Sequence, residues 1–232
     1  MRLTKQESDV LAGKEGEAQR IAMSVLVDIG NLYGADEMIG ISQAHCDTSF
    51  YVSEAGLEFV EHLANLRAKA IVPASTNASL IDMERWREYR VSTELREIHE
   101  RIEKVHRQLG IAPTYTCAPY QAGLVPRFGE QIAWTESNAI AFANSVIGAR
   151  TNRYGDLMDI CAAIIGKVPG FDLHLAENRK AEILIRLKDF SDEMIMDPSI
   201  YPLLGYVTGE IAGDRVAAIE GIPPTVKIDC LK

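Results

Sequence analysis

Short apolar runs that end in small polar residues recur along the chain, and this alternation constrains the fold most. Residues 38–41 are apolar and lead into the polar set 42–47, and residues 70–73 lead into 74–79 in the same way. Each pair is typical of a buried strand whose polar end displays a site. His45, in the first polar set, is explained equally well by function or by a structural hydrogen bond. The succession of strand, polar end and helix predicts a layered α/β domain.

Helix signals fill much of the remaining chain. Helices are predicted over residues 5–33, 57–66, 82–109, 137–148, 158–165 and 201–213, with a further strand over 182–187. Ser53 precedes the second helix as an N-cap, and Gly110 and Gly166 end the third and the fifth. The third helix has apolar residues at i, i+3 and i+4 spacing, so we expect one face of it to pack on the core. Trp86 and Tyr89 are interpreted as packing residues.

The composition excludes several classes of protein. The 232 residues carry a net charge of −9, which argues against a nucleic-acid surface because such a surface needs clustered Lys and Arg. No apolar run reaches the roughly 18 residues of a membrane span, and the N-terminal sequence lacks the apolar core of a signal peptide. We therefore expect a soluble cytoplasmic protein that binds neither nucleic acid nor a membrane.

The cysteines are widely spaced, and one of them has unusual neighbours. The chain contains Cys46, Cys117, Cys161 and Cys230 and no CxxC pair, which excludes a zinc ribbon. Scattered cysteines in a cytoplasmic chain are usually small buried hydrophobes. Cys117 differs because polar and loop-forming residues surround it. Its thiolate could serve as a nucleophile or as a metal ligand, and the residue pattern leaves both open.

Within residues 113–153, the polar loop around Cys117 is followed by an apolar helix. A polar loop beside so apolar a helix is typical of a ligand-binding site. Glu136 and Ser137 stand at the predicted helix start and offer an acceptor, a hydroxyl and backbone amides to a polar substrate, although a simple helix cap explains them equally well. Arg150 and Arg153 bracket two polar residues in a manner suited to gripping an anion. Ordinary surface arginines are the alternative.

Six segments carry a resemblance to a known family. They are AMSVLVDIGNLYGA, ISQAHCD, SEAGLEF, TCAPYQ, FGEQIAWTESNAIAFANSVIGARTNR and HLAENR. Together they resemble the large subunit of the aconitase X family, over residues 1 to about 224. The resemblance implies an aconitase-like α/β/α fold, incomplete relative to the family, and an iron–sulfur-dependent hydro-lyase that dehydrates a small hydroxy acid.

The resemblance also implies site residues and two candidate substrates. Cys117 corresponds to a ligand of the iron–sulfur cluster, and the catalytic base is not identified. Family members dehydrate cis-3-hydroxy-L-proline or (R)-5-phosphomevalonate, and the sequence RYGD at residues 153–156 favours the first because the archaeal phosphomevalonate enzymes tend to read REGG there. Substrate-binding positions are implied at Glu54, Ala55, Gly56, Asn77, Ala78, Glu136 and Ser137.

The chain departs from the family in its length. Family large subunits continue further, and their other cluster cysteines and a substrate-side lysine lie in that continuation. We therefore expect residues 1–224 to be the N-terminal part of a catalytic large subunit, with an atypical tail over residues 225–232. The expected partners are the remaining part of the large subunit and a small swivelling subunit. A non-catalytic remnant or interaction module is the alternative.

The single recognised ligand leads to a prediction about iron. This chain by itself is expected to purify colourless and without stoichiometric iron, because iron–sulfur clusters are held by several thiolates. Iron analysis and a visible absorption spectrum after anaerobic purification measure this. Stoichiometric iron with visible absorption that Cys117→Ser abolishes would contradict the prediction.

Overall fold

The computed structural model describes residues 1–47 and 53–226. The chain divides into two compact units, Met1–His174 and Leu175–Lys232, and each is described by itself. The boundary between the units therefore lies within residues 1–224, which the sequence assigned to a single N-terminal part of a large subunit. Of the atypical tail predicted over residues 225–232, only residues 225 and 226 are described. Within the described ranges, no helix is long and apolar enough to cross a membrane.

Eight α-helices and seven strands are present in the described residues. The helices are α1 (Lys5–Leu11), α2 (Glu17–Leu32), α3 (Glu54–Asn65), α4 (Thr93–Leu109), α5 (Ser137–Phe142), α6 (Met158–Ile165), α7 (Asp192–Met196) and α8 (Ile200–Ala212). The strands are β1 (Met38–Gly40), β2 (Ala44–Cys46), β3 (Ala74–Thr76), β4 (Ala133–Trp134), β5 (Lys167–Pro169), β6 (Ile183–Arg186) and β7 (Ala217–Glu220). A π-helical segment, Ala143–Ile147, continues α5.

A three-stranded parallel sheet organises the first unit. Its order is β3-β2-β4, and Ala44 of β2 pairs with Ala74 of β3 on one side and with Ala133 of β4 on the other. Strands β1 and β5 form a separate antiparallel pair in which Ile39 faces Val168. Parallel pairing requires a crossover between strands, and α3 provides the one between β2 and β3.

The two faces of the parallel sheet meet different cores. Successive side chains of a strand point to opposite faces, so Ala44 and Cys46 lie on one face and His45 on the other. The first face joins the large core formed with α2, α3, α4 and α6. On the second face, the His45 ring lies 6.2 Å from the ring of Trp134, which belongs to a smaller core with α5. Burial on both faces confirms the layered α/β prediction.

The single helix predicted over residues 5–33 is wrong, because the chain forms two helices there. Residues between α1 and α2 include Gly13 and Gly16, whose φ angles of 82° and 115° are incompatible with a right-handed helix. Thr4 begins α1 with a capping box in which its hydroxyl accepts from the amide of Glu7. The apolar stripe of residues 21–29 lies wholly within α2, so it gave no evidence for extending that helix back to residue 5.

The strand predicted over residues 70–73 is also wrong. The strand is β3, which consists of the small residues Ala74, Ser75 and Thr76, and all three are buried. The polar set 42–47 likewise contains a strand, β2. Small polar side chains fit these buried positions because they hydrogen-bond across the sheet, as His45 Nδ1 and Ser75 Oγ do at 2.7 Å. Hydrophobic patterning does not detect strands of this kind.

The helix predicted over residues 82–109 begins later than expected. Helix α4 starts at Thr93, and the Ser92 hydroxyl caps it by accepting from the amide of Leu95 at 3.1 Å. The residues before the cap form turns, in which the carboxylate of Asp82 accepts from the amides of two later residues. The predicted end is confirmed, because Gly110 adopts a left-handed conformation with φ 81°.

The remaining boundaries agree with the sequence. Ser53 caps α3 by accepting from the amide of Gly56 at 3.2 Å. Helix α6 ends at Gly166, which has φ 69°, and Gly148 with φ 76° ends the π-helical continuation of α5. An ion pair between Glu61 of α3 and Arg101 of α4 connects the two helices. These helices are confirmed because caps and helix-ending glycines mark them in the sequence.

The second unit is a small α/β arrangement. Strands β6 and β7 pair in parallel, with Ile183 opposite Ala217, and this confirms the strand predicted over residues 182–187. Leu187, Ile195 and Leu204 form the buried centre of the unit. Helix α8 confirms the helix predicted over residues 201–213, one residue earlier at each end.

A buried ion pair attaches α1 to β5 and yields a prediction. The Glu7 carboxylate is 3% exposed and accepts from Lys167 Nζ at 2.6 Å and from the amide of Thr4 at 2.7 Å. Burial acts to raise the pKa of Glu7, but the bonds from Lys167 and Thr4 outweigh it and lower the pKa. Lys167→Met is expected to reduce the free energy of unfolding by roughly 1–3 kcal/mol at pH 7, because a buried carboxylate loses its cation.

Urea denaturation measures this effect. A carboxyl whose pKa is lowered on folding stabilises the protein above its unfolded pKa, so the penalty should shrink as the pH falls below about 4.5. The control is the double variant Glu7→Gln/Lys167→Met, in which no buried charge is left unpaired and part of the stability should return. Equal losses for the single and double variants would show that the ion pair is not the cause.

Candidate functional site

The carboxyl ends of the parallel strands bring the candidate site together. Asp47 follows β2, Asn77 follows β3, and Glu136 lies two residues after β4. Strands that run parallel end at the same edge of the sheet, where open α/β folds bind their ligands. Residues separated by up to 89 positions in the sequence are therefore neighbours in the fold.

The side chain of Asn77 connects the two carboxylates at this edge. Its Nδ2 donates to Oδ1 of Asp47 and to Oε2 of Glu136, and its Oδ1 accepts from the amide of Ala78 at 2.7 Å. The amide nitrogen carries two hydrogens, so it can donate to both carboxylates. In the flipped orientation the amide oxygen would face the two carboxylates and be repelled by them. Asn77 is 2% exposed and has a well-defined orientation.

Glu136 occupies the N-cap position of α5 without acting as a side-chain cap. No amide of the first turn of the helix donates to its carboxylate. The carboxylate is directed instead to Asn77, which contradicts the alternative that Glu136 is only a helix cap. Ser137 begins the helix and is exposed beside it. Asn138 Nδ2 donates at 3.0 Å to the backbone oxygen of Cys117 and so ties α5 to the cysteine loop.

Strand β3 anchors the loop that carries Cys117. The backbone oxygen of Thr76 accepts from Thr114 Oγ1 at 2.9 Å and from the amide of Thr116 at 3.4 Å. The hydroxyl of Thr76 accepts from the amide of Tyr115 at 3.3 Å, a residue whose φ of 47° is unusual for a side chain of this size. These bonds hold the cysteine next to the residue that follows Thr76.

Cys117 lies among carboxylates, and its pKa reflects them. Burial raises the pKa of the thiol, the negative charge of Glu136 raises it further, and Asp47 adds to the effect. A hydrogen bond with the backbone of Ala78 acts in the opposite direction. Such surroundings disfavour a free thiolate nucleophile, because nucleophilic cysteines lie in electropositive surroundings. A bound metal ion would reverse this preference by stabilising the thiolate.

A buried aspartate of α6, Asp159, accepts hydrogen bonds from residues next to the site. Asp159 accepts from the amide of Asp47 at 2.7 Å, from the amide of Ile160 at 2.6 Å, and lies 2.7 Å from the hydroxyl of Thr135. Burial raises the pKa of Asp159 to about 6. The Thr135 hydroxyl also lies 2.9 Å from the backbone oxygen of His45. The hydrogen bonds that Thr135, Asp47 and Ile160 donate to Asp159 act to lower its pKa and so oppose the effect of burial.

The predicted segment at the start of α3 has its own contacts. Glu54 forms an ion pair with Arg101 at 2.7 Å, and Ala55 and Gly56 belong to the same first turn. The structure brings Asn77, Ala78, Glu136 and Cys117 together. Residues 48–52, which precede it, lie outside the description. A substrate-binding role for Glu54–Gly56 stays a prediction.

The arginines and His45 have structural contacts. Arg150 Nη1 lies 3.4 Å from the backbone oxygen of His174, and Arg153 is exposed. His45 is fully buried inside β2, and burial lowers its pKa to about 4. Its bond to Ser75 supports the structural interpretation. His45 follows the predicted strand, which is β1, but lies inside a second strand, β2, and not in a loop.

Two of the other cysteines belong to the core. Cys46 and Cys161 are fully buried in the large core, which confirms their interpretation as small hydrophobes, and burial raises the pKa of both. Cys230 lies outside the described residues. No group of three or more His, Cys, Asp or Glu side chains in the described ranges could hold a metal ion. The described residues therefore fit an iron–sulfur cluster only as the source of one ligand, Cys117.

Two acidic residues at the site, Asp47 and Asp159, were not predicted from the sequence. Asp47 was visible only as one member of a polar run, and its signal was its position after a short strand. Asp159 is fully buried in α6, and its signal was a lone acid among the apolar residues of that helix.

Comparison with known proteins places the chain in a family. Residues 1–177 match the family model described as the aconitase X first domain. The chain belongs to the aconitase X family. It is 42% identical over 221 residues to the cis-3-hydroxy-L-proline dehydratase of Pseudomonas aeruginosa, covering 95% of this chain and 38% of that protein. It is 39% identical to the phosphomevalonate dehydratase large subunit of Methanocaldococcus jannaschii, covering 96% and 56% respectively.

A solved structure confirms the fold. The crystal structure of Thermococcus kodakaraensis aconitase X in its holo-form matches the whole of this chain and 57% of that chain, with a TM-score of 0.86 and 37% identity. The aconitase-like α/β fold implied by the sequence is therefore shown. The chain spans about 40% to 57% of the length of these relatives.

The electrostatics of Cys117 lead to a prediction. Glu136→Gln is expected to lower the pKa of Cys117, because the Glu136 carboxylate is the main charge that opposes the thiolate. The rate of alkylation by iodoacetamide against pH measures the pKa, in a Cys230→Ser background that removes the undescribed cysteine. Glu97→Gln, on the exposed face of α4, is the matched control and should leave the profile unchanged. An unchanged profile for Glu136→Gln would contradict the charge assignment.

Proposed function

We propose that this chain forms one wall of the active site of a hydro-lyase that removes water from cis-3-hydroxy-L-proline. The observation that carries the proposal is the convergence of Cys117, Asn77 and Glu136 at the carboxyl edge of the parallel sheet. These are the positions to which the family resemblance assigned cluster and substrate binding. A polar site buried against the core is suited to a small hydroxy acid.

The chemistry of such a reaction defines what the residues contribute. Dehydration breaks a C–O bond and removes a proton from the adjacent carbon, so it needs a base and an acid that assists the leaving hydroxyl. Cys117 would hold one iron of an iron–sulfur cluster, which when bound supplies Lewis-acid assistance to that hydroxyl. Asn77 fixes the orientation of Glu136, and Glu136 and the Ser137 hydroxyl offer hydrogen bonds to the polar groups of the substrate.

The proposal includes partners and a location. The Methanocaldococcus relative is named a large subunit, which supports a small subunit as partner, and the extra length of the relatives supports a requirement for the remaining part of a large subunit. Free cysteines at positions 46, 117 and 161 are typical of the reducing cytoplasm.

A second substrate is supported by a specific comparison. (R)-5-Phosphomevalonate is the alternative, because large subunits of phosphomevalonate dehydratases from several archaea match this chain over most of its length. Two cis-3-hydroxy-L-proline dehydratases, from Pseudomonas aeruginosa and Hypocrea jecorina, match it over the same extent. The two substrates differ in charge, and a direct assay separates them.

A chimeric enzyme tests the proposed function. This chain replaces the matched segment of the Pseudomonas relative, so that the rest of that protein completes the site. Dehydration of cis-3-hydroxy-L-proline is expected. Glu136→Gln and Ser137→Ala should each lower kcat/KM, the first by about ten- to hundredfold because a charge-assisted hydrogen bond is lost. Glu97→Gln, on exposed α4, is the control and should leave kcat/KM unchanged.

The outcomes separate the alternatives. A chimera that dehydrates phosphomevalonate and not the imino acid would show that the substrate assignment is wrong. A chimera that folds with the circular dichroism of the parent enzyme and dehydrates neither acid would support the non-catalytic alternative. The stability of each variant is checked by thermal denaturation, because loss of a helix-start residue itself costs only about 1 kcal/mol.

A further inference from the structure

Asp47 is an acidic residue of the candidate site to which neither the sequence nor the comparisons assign a role. Resting on the proposed function, we propose that Asp47 determines substrate charge: its carboxylate pairs with the secondary ammonium group of an imino acid and disfavours a phosphorylated substrate. The residue lies inside the site already described, next to Asn77 and close to Cys117. The proposal therefore adds a specificity residue to that site.

The backbone and side chain of Asp47 are both held in place. Its amide donates to Asp159 at 2.7 Å, and one oxygen of its carboxylate accepts from Asn77. A carboxylate can accept about four hydrogen bonds, and among the described residues the structure shows this one, which leaves capacity for a ligand. Asp47 is only half-buried and so remains accessible. A fixed carboxylate of this kind binds a cation without first having to be ordered.

The charge of the surrounding segments favours a cation over an anion. The described segments that build the site span residues 42–47, 74–80, 113–121 and 133–138. They contain two carboxylates, Asp47 and Glu136, and no Lys or Arg. His45 adds no positive charge near neutral pH, because burial lowers its pKa to about 4. This wall of the site is anionic.

The two candidate substrates respond to such a wall in opposite ways. Cis-3-hydroxy-L-proline carries a secondary ammonium group, which can donate a charge-assisted hydrogen bond to the carboxylate of Asp47. A phosphate monoester carries a charge of about −1.5 to −2 near pH 7 and has no cationic group to offer. Selection therefore comes from attraction of one substrate and repulsion of the other, which is how charged sites discriminate between ligands.

The charge preference can be measured on this chain at Cys117. A cationic and an anionic methanethiosulfonate reagent of similar size are compared, in a Cys230→Ser background treated with a chelator. We expect faster modification by the cationic reagent, and Asp47→Asn should reduce the ratio of the two rates by roughly fivefold or more. Both reagents carry the same reactive group. A change in the intrinsic reactivity of the Cys117 thiol therefore affects both modification rates alike and largely cancels in their ratio. Glu97→Gln should leave the ratio unchanged.

Ligand protection then tests the imino acid itself. Cis-3-hydroxy-L-proline should slow modification of Cys117 in the parent chain more than inorganic phosphate does, and Asp47→Asn should abolish the difference. A rate ratio that Asp47→Asn does not change would overturn the proposal. Protection by phosphate and not by the imino acid would overturn it as well. The chimera assay is independent of both readouts, so a failure of the proposed function and a failure of the Asp47 assignment are distinguishable.

Discussion

The parallel pairing of β2 with β3 and β4 is the constraint on which the site depends. Ala44 faces both Ala74 and Ala133, and this register brings the ends of all three strands to one edge. A slip by one residue would turn every side chain of a strand to the opposite face. It would exchange His45 with its buried alanine and cysteine neighbours and move the following polar residue away from the site. The packing of the core and the position of the site are thus set by the same pairing.

Buried polar groups are tolerated at this edge because each one satisfies another. Asn77 places one amide hydrogen on each of two carboxylates that would otherwise repel each other. Asp159 receives the backbone amide of Asp47, and the Thr135 hydroxyl lies between Asp159 and the β2 backbone. Unsatisfied buried polar groups cost about 1–3 kcal/mol each, so the network is coupled to the stability of the sheet. Substitutions at these positions therefore have to be examined for stability as well as for activity.

The family shares a fold, and its members act on acids of different charge. The fold of this chain agrees with that of Thermococcus kodakaraensis aconitase X at 37% identity. Dehydratases named for an imino acid and for a phosphorylated acid match it at about equal identity. Overall similarity therefore does not separate the substrates, and the side chains next to Cys117 are where a difference in charge would act. This is the physical reason for directing the experiments at Asp47 and Glu136.

The sequence by itself determined several helix boundaries and pointed to part of the candidate site. Caps and helix-ending glycines located α3, the end of α4, and α6. The family resemblance proposed Cys117, Asn77 and Glu136, which the structure brings together. The sequence did not locate β2 and β3, because their buried His, Ser and Thr residues carry no hydrophobic signal, whereas the apolar run 38–41 did predict β1. Only the tertiary structure decided that Asp47 joins the site and that Asp159 supports it, since hydrogen bonds between segments distant in sequence depend on the register of the sheet.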